Sequence, residues 1–132
     1  MYLLDTDILS HIMRPRPDER LMRRLRRTPR VLQFTSAVNL AELLFGVERC
    51  GSIGLRNRVQ QILARLPVLP FDEQSARVFG PLKADLERKG TPLAEADMRI
   101  ASIALANRLA LVTGNERHFT RVPGLVVENW LV

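Results

Sequence analysis

The chain opens on an apolar run, Tyr2-Leu3-Leu4, that stops abruptly at Asp5-Thr6-Asp7. Such a start reads as a short buried strand that delivers carboxylates at its carboxyl end. The same pattern recurs along the chain. Val31 to Thr35 reads as a strand ending at Ser36, Leu109 to Thr113 as a strand leading into Gly114-Asn115, and Leu125 to Asn129 as a last strand. Val68 to Phe71 is a shorter one, whose Pro70 suits an edge or an end.

Between these runs the spacing turns helical. Ile8 to Met13 predicts a short helix halted by Pro15 and Pro17. Asp18 is placed to cap an Arg-rich helix running to about Arg27, which Thr28-Pro29 breaks. Ser36 is the expected N-cap of a helix through Cys50, with Leu40, Leu43, Leu44 and Val47 on one face and Gly51 and Gly54 ending it. Val59, Ile62, Leu63 and Leu66 mark a helix from Arg56 to Leu66. Asp72 caps a stretch to Lys89 that Gly90 closes and that Gly80-Pro81 is expected to kink or split. A further helix is expected from about Ala94 to Arg108, and a polar loop from Gly114 to Arg121.

Strands alternating with helices over 132 residues predict one α/β domain, residues 1–132, with a mostly parallel sheet and helices on both faces. Sites in such sheets lie beyond the carboxyl ends of the strands. Asp5, Ser36 and Thr113-Gly114-Asn115 therefore fall on one rim.

The net charge of +6 is concentrated in one segment. Arg14 to Arg30 holds eight arginines against Asp18 and Glu19, whereas the rest of the chain balances 12 basic with 12 acidic residues. Of the 20 basic residues only Lys83 and Lys89 are not arginine. Arginine favours bidentate contact with phosphate or carboxylate, so the patch suggests an anionic partner, against the alternative of a solvated helix face. A single cysteine, Cys50, excludes an intrachain disulfide framework and a Cys-rich zinc site. No apolar run reaches the roughly 18 residues of a membrane span, and Asp5 and Asp7 interrupt any signal-peptide core. A cytoplasmic protein with no membrane partner is expected.

Several acids invite chemical roles. Asp7 shares a face with Asp5 if the strand continues, or caps the next helix if it has ended. Glu42, in Asn39-Leu40-Ala41-Glu42-Leu43-Leu44, is either a site acid or a solvent-facing helical Glu. Asp97 sits among small alanines near a helix start, where it also suits the helix dipole, and Glu95 is its rival. Asn115 is a turn residue or a site residue, with Glu116 next to it. Carboxylates gathered on one rim resist joint ionisation. A hard divalent cation, Mg²⁺ or Mn²⁺, resolves that repulsion. No histidine pair has zinc-ligand spacing, and there is no nucleophile elbow, P-loop or dinucleotide glycine motif. Metal-assisted hydrolysis is the chemistry left standing.

These stretches also carry a family resemblance. Met1 to Leu9 and Ser36 to Gly46 resemble the opening of PIN-domain ribonucleases, and Lys89-Gly90-Thr91-Pro92, Asp97 to Ala101, Leu111 to Asn115, Phe119 and Val122-Pro123-Gly124 extend the match. The VapC toxin branch of type II toxin–antitoxin systems fits best. The resemblance implies a PIN-like α/β/α sandwich around a parallel sheet, and a Mg²⁺-dependent endoribonuclease for which Mn²⁺ is a substitute. It places the acidic cluster on Asp5, Glu42 and Asp97 as catalytic residues and metal ligands. Asn115 falls on a further site position, where many PIN domains carry Asp. Thr6, Asp7, Ser36, Thr113 and Glu116 would support the site. Asp7 stands where the family often has Asn, and His118 where relatives often carry an acid.

The implied partners are an RNA substrate, a cognate antitoxin that itself binds promoter DNA, and a second copy in a homodimer. Arg23, Arg24, Arg26 and Arg27 would contact RNA or antitoxin. The competing expectations are a catalytically weak PIN domain that binds RNA or a protein without cutting, and a doubly wound module that binds a small anion at its sheet rim, against which the acidic rim speaks.

Overall fold

The computed structural model describes residues 1–132. Five strands, β1 (Tyr2–Leu4), β2 (Gln33–Ser36), β3 (Val68–Leu69), β4 (Ala110–Val112) and β5 (Val127–Glu128), form one sheet in the order β3-β2-β1-β4-β5. Every pairing is parallel. β1 lies at the centre, with Leu3 opposite Phe34 on one side and Leu111 on the other. The chain reverses its direction of winding about β1, so the carboxyl ends of β2, β1 and β4 open side by side, where ligands bind in open α/β sheets.

Strand side chains alternate between two cores. Leu3 and Leu111 point to one face, where they meet Leu82 and Leu86 of α5 (Glu73–Arg88), Ile100 and Ile103 of α6 (Glu95–Ala106), and Phe119. Leu4 and Val112 point to the other, against Ile8 and Leu9 of α1 (Thr6–Ile12), Leu21 of α2 (Glu19–Arg27), Leu43 and Val47 of α3 (Ala37–Cys50), Val59 of α4 (Ile53–Leu63), and Trp130.

The boundaries depart from expectation in places that matter. The first helix begins at Thr6 rather than Ile8, because Asp5, not Asp7, caps it: the Asp5 side chain accepts the Thr6 N–H. Residues Arg30–Leu32 form a 3-10 turn, which shifts β2 to Gln33–Ser36. Ser36 ends β2 and caps α3, and Gly51 alone closes that helix, in a left-handed conformation (φ +65°) that glycine adopts without penalty. Gly54 instead lies inside α4, whose cap is Ser52. Helix α5 continues unbroken through Pro81. Gly80, Pro81 and Arg77 are exposed, so the Arg77 carbonyl that Pro81 cannot bond lies on the solvent side of the helix. Burial of Leu82 and Leu86 against α6 holds the last two turns in place. Finally, the loop after β4 contains a short helix, α7 (Glu116–Phe119), pinned by the buried Phe119.

Candidate functional site

Asp5 is the first residue past β1, and only 6% of it is exposed. Its Oδ1 accepts the Thr6 N–H and the Asn39 side-chain amide, both at 2.8 Å, and its Oδ2 accepts the Thr113 hydroxyl at 2.8 Å. Burial raises its pKa to about 6. Hydrogen bonds from Thr113 and the Thr6 N–H oppose the rise, while the negative charges of Asp7 and Asp97 add to it. Asp5, at the end of β1, thus feels the charges of Asp7 on α1 and Asp97 on α6.

Asn39 organises the centre. It is fully buried, and its amide also donates to the Thr6 hydroxyl at 3.0 Å while its carbonyl accepts the Ser36 hydroxyl at 2.5 Å. The Thr6 hydroxyl passes the chain on, donating to Glu42 Oε1 at 2.7 Å. Glu42 is exposed and joins Asp5 only through this relay. Asn39 lies outside the set of residues expected from sequence, although its position holds a signal. It shares a helical stripe with Leu43 and Val47 at i, i+4, i+8, which makes it a polar residue on a core-facing strip.

Asp7 occupies the first turn of α1. Its Oδ2 accepts the Gly114 N–H at 2.8 Å, and its buried Oδ1 has no hydrogen-bond partner. A Cβ at Gly114 would sit 2.7 Å from Asp7 Oδ2 and 3.2 Å from Leu131 Cδ1, so the approach depends on glycine. Thr113 Oγ1 also accepts the Asn115 N–H at 3.0 Å, which ties the post-β4 loop to Asp5. The Asn115 side chain makes no capping bond, and both it and Glu116 are exposed at the start of α7.

Asp97 lies in the first turn of α6. Burial raises its pKa, and the His118 imidazole, 3.6 Å away, opposes the rise. Its sequence rival Glu95 turns instead to Arg99, at 3.6 Å. No three His, Cys, Asp or Glu side chains converge closely enough, as they stand, to hold an ion between them. The donor set itself is carboxylate oxygen with one imidazole at its edge, which suits a hard divalent cation.

The arginine patch is partly neutralised. Arg24 donates to Glu128 at 2.9 Å and stacks 4.9 Å from the Trp130 ring centre, and Arg26 pairs with Glu19 at 2.6 Å. Arg23 and Arg27 are exposed. No helix is long and apolar enough to cross a membrane.

Known proteins resemble this chain in sequence and fold. The PIN domain family model matches residues 2–125. The chain is 35% identical over 132 residues to Ribonuclease VapC2 of Haemophilus influenzae, covering 98% of each chain. It is 35% identical over 131 residues to the tRNA(fMet)-specific endonuclease VapC of Salmonella typhimurium, covering 98% of this chain and 97% of that one. The crystal structure of VapBC2 from Rickettsia felis, bound to a DNA fragment from their promoter, contains a chain 31% identical to this one, with a TM-score of 0.85 and 98% of both chains covered.

Proposed function

The chain belongs to the PIN-domain family, and from that premise we infer that it is a ribonuclease of the VapC kind, the toxin of a toxin–antitoxin pair held in check by its antitoxin. The relatives that support this are named ribonuclease and endonuclease. The VapBC2 complex on promoter DNA supports an antitoxin partner, with DNA reached through that partner. RNA is the substrate, and the cytoplasm is the compartment this reading requires. Residues 1–132 form one PIN domain in this proposal, and a homodimer is its expected free state.

The observation that carries the reading is Asp5: a carboxylate buried at the end of the central strand, held by three donors, with its proton affinity raised by burial and by two neighbouring aspartates. Asp5 has only neutral donors around it, and the anions beside it favour a divalent ion. Asp5 and Asp97, with Glu42, are the residues that would hold it, and oxygen donors favour Mg²⁺ with Mn²⁺ as substitute. What a bound cation supplies is neutralisation of phosphate charge and a more acidic water.

The remaining work belongs to the chain. Glu42 is exposed and accepts a hydrogen bond from the Thr6 hydroxyl, which supports a role for it in orienting and deprotonating an attacking water. Asn39 and Thr113 fix the rotamer of Asp5, Ser36 fixes Asn39, and Asp7 holds the Gly114 backbone that presents Asn115 and Glu116. Arg23 and Arg27 offer unpaired charge to RNA or antitoxin, as Arg24 and Arg26 do in part.

The test is RNA cleavage with Mg²⁺ by wild type, Asp5→Asn and Asp97→Asn, together with calorimetric titration of Mn²⁺. Loss of both cleavage and metal binding in the variants is expected. Equal cleavage in all three proteins would overturn the assignment, and RNA binding without cleavage by wild type would favour a binding-only PIN domain.

A further inference from the structure

A groove of about 440 Å³ leads away from the acidic rim between α1, α3 and α4. Thr6 and Glu42 wall one end, Leu43, Val47 and Leu55 lie along it, and Arg14 and Arg58 stand at the other. A second hollow of about 780 Å³ begins at the same Arg14 and Arg58 and continues to Gln61 and Arg65. The two adjoin at Met13, Arg14 and Arg58, which line both, and the far hollow is cationic.

These three arginines differ from the paired arginines of the Arg-rich helix, whereas Arg23 and Arg27 on that helix are also free of ion pairs. Arg20, Arg24 and Arg26 are each bound to a carboxylate. Arg14, Arg58 and Arg65 are exposed and take part in none of the ion pairs of the structure. One nitrogen of Arg58 donates to the Met13 carbonyl, which anchors its guanidinium at the junction of the two hollows and leaves the rest of the fork free. Guanidinium groups free of ion pairs, one of them anchored, beside an aliphatic floor suit a strand that carries phosphates on one edge and apolar sugar and base faces on the other.

We propose that RNA leaves the cleavage centre along this groove, with Arg14, Arg58 and Arg65 neutralising phosphates beyond the one that is cut. The proposal rests on the ribonuclease reading, because a strand cleaved beside Glu42 has to continue somewhere, and this groove begins at Glu42. An acidic peptide would find the same arginines, but it lacks the scissile phosphate that the ribonuclease reading places at the groove's acidic head and the base faces that suit its aliphatic floor. The three residues are positioning and affinity residues, not catalytic ones.

The experiment has two arms. In the first, binding of a fluorescent single-stranded RNA of mixed sequence is measured by anisotropy across a salt series, in an Asp5→Asn background that does not cut. Adding Arg14→Gln, Arg58→Gln and Arg65→Gln should weaken binding at least tenfold and flatten the slope of log affinity against log salt by about 2, since each phosphate neutralised on a single strand contributes roughly 0.7. Arg14→Gln with Arg65→Gln alone keeps the Arg58 anchor to α1. It should give about two thirds of the flattening, which guards against a fold defect. In the second arm, otherwise wild-type protein carrying the three substitutions should show a raised KM on long RNA and an unchanged kcat.

An unchanged affinity and salt slope would overturn the track. So would intact RNA binding accompanied by abolished binding of the antitoxin, which would assign the groove to the protein partner. Failure of the ribonuclease reading looks different: the parent chain then cuts no RNA in the second arm, while the first arm still reports whether RNA lies in the groove.

Discussion

Asn39 donates its side-chain amide to Asp5 at 2.8 Å across 34 positions of sequence, and the same amide reaches the Thr6 hydroxyl at 3.0 Å. One buried amide thereby orients the acid at the end of β1 and, through Thr6, the Glu42 carboxylate on α3. Replacing it with alanine strands several polar groups at once. Asn39→Ala is expected to cost about 3 kcal/mol, since buried groups left without partners cost roughly 1–3 kcal/mol each and the neighbours relax only in part. The same change removes a donor from ionised Asp5, so the acid limb of the pH–rate profile should move to higher pH. Thermal unfolding and the pH profile are the measurements. A stable variant with an unmoved profile would show that Asn39 orients nothing.

Asp5 itself makes the protein less stable when ionised. Its folded pKa, raised to about 6, exceeds its ordinary value of 3.8, so the folded chain holds the proton more tightly than the unfolded one. Stability without metal therefore falls as pH rises from about 4 to about 6 and is flat above that. The gap corresponds to about 3 kcal/mol at neutral pH. Asp5→Asn keeps the acceptor for Thr6 and Asn39 and removes the charge. It should raise the unfolding free energy of the metal-free protein at pH 7.5 by about 2–3 kcal/mol and abolish the fall between pH 4 and 6, while eliminating cleavage. Denaturant titrations at four pH values check this, and equal stability of the two proteins at pH 7.5 would refute it.

Much of this arrangement is legible in the residues. Apolar runs that end in Asp5, Ser36 and Thr113 dictate which sheet rim carries polar groups, and the alternation of strand and helix dictates a parallel sheet. The errors share a cause: local signals with tertiary overrides. Gly80-Pro81 reads as a kink or a split, and the split does not occur, because Leu82 and Leu86 bury in the core beside α6 and keep the helix continuous. Of the two roles open to Asp7, the cap falls to Asp5 two residues earlier, which leaves Asp7 free to reach Gly114. Pairings such as Asn39 with Asp5 or His118 with Asp97 join residues that no spacing rule connects.

The Asp7–Gly114 hydrogen bond supplies a coupling test. A methyl at Gly114 meets Asp7 Oδ2 at 2.7 Å, and the carboxylate is the part that moves, because it ends a flexible side chain. Gly114→Ala should cost about 1–2 kcal/mol by breaking that hydrogen bond and displace Asn115 from the rim, lowering kcat. In a double-mutant cycle with Asp7→Ala the two costs should fall short of additivity by about 1 kcal/mol, as for residues that touch directly. Strict additivity would mean that the loop is held by something other than Asp7.

His118 stands 3.6 Å from Asp97, at a place where a carboxylate would complete an acidic ring. Imidazole adds no negative charge there, and when protonated it competes with a cation for Asp97. His118→Glu should therefore raise affinity for Mn²⁺ several-fold. It should also lower metal-free stability, because a second anion faces an Asp97 whose proton affinity burial already raises. Saturating Mn²⁺ should recover that stability, since an ion that binds only the folded chain stabilises it by mass action. His118→Gln, of similar length but uncharged, should do neither. Calorimetric titration and thermal unfolding with and without Mn²⁺ distinguish the two variants. If glutamate and glutamine behave alike, the position lies outside the field of the metal and Asp97 acts without it.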